Sequence, residues 1–66
     1  MNSYIVTYTF VGGSEESFTI RHPSDSLREV CDYLTSNKLM THICSDGNRA
    51  RIVNNDHVAY MEVTRK

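Results

Sequence analysis

The sequence predicts an α+β domain of ββαβββ layout, a mostly antiparallel curved sheet packed on one helix at about residues 25–37. Three observations carry this. β-branched and aromatic residues crowd into short alternating runs, which suits pleated, half-buried strands. Breaks rich in Gly, Asn and Asp separate most of those runs at hairpin distances. One segment, from Leu27 to Leu34, repeats its apolar residues at helical spacing.

The first strand covers Tyr4 to Val11. Tyr4, Val6, Tyr8 and Phe10 share one face, which should look at the helix, and Ile5, Thr7, Thr9 and Val11 share the other. Gly12-Gly13-Ser14 is a turn, because glycine accepts positive φ without a Cβ clash. Ser17 to Ile20 returns as the second strand, with Phe18 and Ile20 inward and Glu15 and Glu16 near the hairpin tip. Pro23 ends it.

Two helix starts compete: Ser24 or Asp25 as cap, or Ser26 with Glu29 in a capping box. The first is favoured, since it draws Leu27 into the first turn. Leu27, Val30, Cys31 and Leu34 form the buried stripe, and Asn37 is a candidate left-handed stop. Leu39–Cys44, Arg49–Val53 and His57–Val63 are the remaining strands. Ser45-Asp46-Gly47-Asn48 and Asn54-Asn55-Asp56 turn between them. Consecutive hairpin-linked strands usually pair, so these three should form a meander. How the first hairpin joins them is open: one five-stranded sheet and a barrel-like sheet both fit.

The chain of 66 residues is one domain, 1–66, with 39% hydrophobic and 23% charged residues and a net charge of −1. Chains this short often need a disulfide, a metal or a partner to supplement the core. Two cysteines, Cys31 and Cys44, are too few for a secreted scaffold and read as reduced core residues. No apolar run approaches membrane-spanning length, and Met1-Asn2-Ser3-Tyr4 is no signal peptide, so a cytoplasmic location is expected.

No catalytic motif, phosphate loop or metalloprotease spacing appears, so the chain reads as a non-enzyme without a cofactor. Cys31, His42, Cys44 and His57 are the available zinc donors. They lack the close pairs of structural zinc sites, so no metal is expected and His42 reads as a sheet-surface residue. Arg49 and Arg51 alternate onto one strand face, where a forked guanidinium can bind phosphate. Asn54, Asn55 and His57 add polar groups at the neighbouring turn, and Tyr8 or Tyr60 could stack on a base. These seven residues form the candidate ligand site. Asp46, Asp56 and Glu62 cancel much of the local positive field, which disfavours nucleic acid. Poorly guarded strand edges and a first strand apolar on both faces point to a homo-oligomer.

The segment from Asp46 to Val63 resembles a β-hairpin of LytTR-type DNA-binding domains and small flagellar regulators, over under a third of the chain. The whole layout looks more like short accessory proteins of bacteriophages and mobile elements. That resemblance implies a compact oligomer that binds a host protein or sequesters a small ligand. The function expected is therefore a small, oligomeric, phage-type binding protein, cytoplasmic in its host, acting on a host protein or an anionic, nucleotide-like ligand. A nucleic-acid-binding regulator and a structural or regulatory module without ligand are the alternatives.

Overall fold

Strand β1 (Asn2–Phe10) is the centre of the fold. In the computed structural model, which describes residues 1–44 and 46–66, β1 pairs on one side with β2 (Glu15–His22) and on the other with β5 (Val58–Arg65). Both pairings are antiparallel, Val6 lying opposite Phe18 in β2 and Val63 in β5. The second sheet is a hairpin of β3 (Leu39–Ile43) and β4 (Ala50–Asn54). The predicted meander is therefore corrected. β4 does not pair with β5, because a 3-10 turn at Asn55–His57 redirects the chain and β5 crosses to β1. The element order ββαβββ stands, with two antiparallel sheets and one helix.

Alternation in β1 decides what is inside. Tyr4, Val6 and Tyr8 have no exposed surface. They join Phe18 and Ile20 of β2, Val30 and Leu34 of the helix, and Cys44 and Val53 of the second hairpin in one core cluster. The opposite face of β1 carries Ile5, Thr7 and Thr9, flanked by Glu15, Ser17 and Thr19 of β2 and by Tyr60, Glu62 and Thr64 of β5. This face is mixed, and as expected β1 leaves apolar surface uncovered on its second side, where Ile5 and the neighbouring Tyr60 are exposed.

Helix α1 (Leu27–Leu34) is shorter than predicted at both ends. Its cap is Ser26, not Ser24 or Asp25, since the Ser26 hydroxyl accepts from the Glu29 N–H at 3.3 Å. Ser24 is held outside the helix: its hydroxyl accepts from the Ser26 N–H at 3.0 Å, and its carbonyl accepts from the Tyr4 hydroxyl. At the other end Thr35 Oγ1 donates to the Cys31 carbonyl at 2.9 Å and Ser36 Oγ to the Tyr33 carbonyl at 2.7 Å. These hydroxyls cover the last carbonyls that another turn would have bonded. Asn37 is not left-handed; among the described residues only Gly12, Gly13 and Gly47 have positive φ. Ser26→Ala should destabilise the domain by about 1 kcal/mol, read as a lower urea midpoint at constant slope.

The Gly12-Gly13 turn forms as expected, with φ of 104° and 97°. The Phe10 carbonyl accepts from Gly13 N–H at 2.9 Å across it. In the second hairpin Gly47 N–H donates to the Cys44 carbonyl at 2.8 Å; Ser45, part of the predicted turn, lies outside the described residues. Among the described residues no helix is long and apolar enough to cross a membrane.

Candidate functional site

The β3–β4 hairpin has two faces of different fate. Its inner face carries Met40 and His42 from β3 and Cys44 just beyond it, with Val53 and Arg51 from β4, and docks on the central sheet. His42 is the polar side chain at the centre of that contact, only 2% exposed. The Tyr8 hydroxyl and His42 Nε2 share a hydrogen bond of 3.1 Å. The rings of Phe18 and Tyr33 flank the imidazole at 5.5 and 6.2 Å. Burial holds the imidazole below its usual pKa and pushes the Tyr8 hydroxyl up to about 12, with Tyr33 adding to the rise. Both groups are thus kept neutral. His42 is no sheet-surface residue, and that expectation is corrected: its side chain satisfies the tyrosine hydroxyl that burial would otherwise orphan.

Among the described residues the outer face of the hairpin is largely uncovered, with Arg21 and Tyr33 beside Thr41 and Ile43 at its edge. Leu39, Thr41 and Ile43 of β3 stand opposite Asn54, Ile52 and Ala50 of β4. Leu39, Ile43 and Ile52 are 60%, 59% and 73% exposed. Three large aliphatic side chains on one small two-stranded surface are unusual, because single exposed apolar residues are ordinary but contiguous ones mark contact surfaces. An ion pair closes each end of the strip. Lys38 Nζ lies 3.2 Å from Asp56 Oδ2, and Arg49 Nε lies 3.6 Å from Asp46 Oδ2.

The seven candidate ligand residues do not converge. Tyr8 is wholly buried, packed with Phe10 and Phe18 at 6.1 and 5.7 Å, so its ring cannot stack on a base; that expectation is corrected. Arg49 sits in the loop before β4 and pairs with Asp46. Arg51 lies on the inner face, its guanidinium above the Phe18 ring and bonded to Glu16. Asn54 caps the 3-10 turn by accepting from Asp56 N–H at 3.0 Å. The Asn55 amide donates to the carbonyls of Leu34 at 3.0 Å and Asn37 at 2.7 Å, clasping the end of α1. His57 is exposed, and its carbonyl accepts from Val11 N–H at 2.8 Å. Tyr60 is 61% exposed beside a shallow groove of about 420 Å³, lined also by Thr35, Asn55, Val58 and Met61. Cys31, His42, Cys44 and His57 are not gathered either; among the described residues no three His, Cys, Asp or Glu side chains group as metal ligands.

Sequence reasoning missed Leu39, Ile43 and Ile52 as a surface. The signal was available: Leu39-Met40-Thr41-His42-Ile43-Cys44 is apolar at both ends on both alternating faces, a pattern a half-covered strand does not require. No protein-family model, curated protein or solved structure matches the chain.

Proposed function

We propose that this chain is a small non-enzymatic binding protein that works by docking the outer face of its β3–β4 hairpin on another protein. The observation that carries this reading is the exposed aliphatic strip of Leu39, Ile43 and Ile52, held on a hairpin whose other face is anchored in the core. A strip presented on an already formed hairpin suits binding, since less ordering entropy is then lost on contact. A phosphate-bearing ligand has less support. Arg49 and Arg51 are engaged by Asp46 and Glu16, and the Asn54 and Asn55 side chains hold turns and carbonyls of their own chain. A nucleic-acid surface would draw on the same two arginines.

Site-specific photo-crosslinking in cells tests the reading. A photoreactive residue at Ile52 should give a discrete protein adduct, and one at Thr64, on the outer face of the three-stranded sheet, should not. Ile43→Lys should abolish the Ile52 adduct in a chain that still folds. Equal labelling from both positions, or none from either, would sink the proposal.

A further inference from the structure

The rim of the aliphatic strip identifies its partner. Lys38 precedes β3 and Asp46 follows it; Arg49 precedes β4 and Asp56 follows it. Round the four corners of the hairpin the charges therefore alternate in sign. All four side chains are substantially exposed. Such a rim is its own complement. A second copy turned over by a two-fold axis in the plane of the face, along the strands or across them, sets every cation opposite an anion of the other copy. The face between the rims is aliphatic in both copies and can pack sheet on sheet, at the usual separation of about 10 Å.

We infer that the occupant of the hairpin face is a second copy of this chain, giving a two-fold dimer in which the same surface serves both partners. The inference rests on the docking face proposed above and names its partner. One further observation favours self-association. The net charge of −1 sets up almost no repulsion between copies. The strip is three side chains wide with a four-residue rim, a small surface beside the roughly 800 Å² per partner of a standard interface. A face this small suits a dimer that forms and dissociates readily. The aliphatic centre supplies its affinity, and the rim selects the partner and its orientation.

Sedimentation equilibrium of the purified full chain, from micromolar to millimolar concentration, tests this. The wild type should rise from 7.6 kDa toward twice that mass. Ile52→Asp should stay monomeric throughout, and Thr64→Asp, on the other sheet, should associate like the wild type. A chain with both rim cations reversed, Lys38→Asp and Arg49→Asp, should self-associate at least about tenfold more weakly, a loss of about 1.4 kcal/mol. So should a chain with both anions reversed, Asp46→Lys and Asp56→Lys. Mixed, the two reversed chains should form a heterodimer. Circular dichroism establishes that each variant keeps its sheets. Should a reversed chain fail to fold, the comparison of Ile52→Asp with Thr64→Asp decides alone. A wild type that remains monomeric at millimolar concentration overturns the dimer, as does an Ile52→Asp chain that associates undiminished. So does the failure of two folded reversed chains to pair. If the monomeric chain still gives an Ile52 adduct with a different protein in cells, self-association alone fails; if no adduct forms, the docking face fails with it.

Discussion

Tyr8→Ala should unfold the domain at room temperature. The side chain is completely buried, packs with Phe10 and Phe18, and bonds His42 across the joint between the central sheet and the second hairpin. Removing a buried aromatic ring costs about 3–5 kcal/mol. A core this small rarely supplies more than about 3–5 kcal/mol of net stability, so the substitution removes most or all of it. Tyr8→Phe isolates the hydroxyl. It keeps the ring but leaves His42 Nε2 buried without its partner, which should cost about 1–3 kcal/mol. Urea unfolding followed by circular dichroism reads both. A Tyr8→Ala chain with a wild-type midpoint would show that the ring does not hold the two sheets together.

Acid should separate the same joint. The folded state holds the His42 imidazole below the 6.5 of a free side chain, by burial. Above pH 6.5 the ring is neutral whether the chain is folded or not, and its contribution is intact. As pH falls through 6.5 the unfolded chain takes up the proton first, so stability is lost progressively. The loss levels off once pH is below the depressed folded value. Protonation also makes both ring nitrogens donors and leaves the Tyr8 hydroxyl only as acceptor. The urea midpoint should therefore be lower at about pH 5 than at about pH 7.5. His42→Phe should reduce that difference while lowering stability at both pH values, because the Tyr8 hydroxyl loses its partner. An unchanged pH dependence in His42→Phe would assign the acid sensitivity to other groups.

Local features of the fold were legible where the physics is local. The faces of β1 follow from alternation, and the glycine turn from the conformations that only glycine adopts cheaply. Ser26 and Glu29 have the spacing of a capping box, while a cap at Ser24 or Asp25 draws Leu27 into the first turn and is preferred on that ground. The structure reverses that preference through a partner distant in sequence, because Tyr4 holds the Ser24 carbonyl outside the helix. The pairing of β1 with β5 was not legible for the same kind of reason. Neighbouring strands usually pair, and the three residues Asn55–His57 that break this habit read as an ordinary turn.

The site was less legible than the fold, because residue type and location diverge in it. Histidine and tyrosine suggest chemistry, yet His42 and Tyr8 satisfy one another in the core. Arginines on alternate positions suggest a phosphate site, yet Glu16 from a different hairpin claims Arg51. The aliphatic residues that suggest core, Leu39, Ile43 and Ile52, stand outside it. An apolar residue at a strand position fixes which face it shares with its neighbours, not whether anything covers that face.

The placement of β1 between β2 and β5 has a kinetic consequence. Its pairing with β2 crosses only the short glycine turn and can close early, whereas its pairing with β5 brings Tyr4 beside Arg65 and must wait for contacts spanning nearly the whole chain. Until then one edge of β1 stands open on Tyr4-Ile5-Val6-Thr7-Tyr8-Thr9-Phe10, a segment without charge or proline. Such an edge is a template for other chains. Any opening that frees β5 exposes this edge, so variants that weaken β5 docking should lose yield on refolding at high concentration before they lose much equilibrium stability.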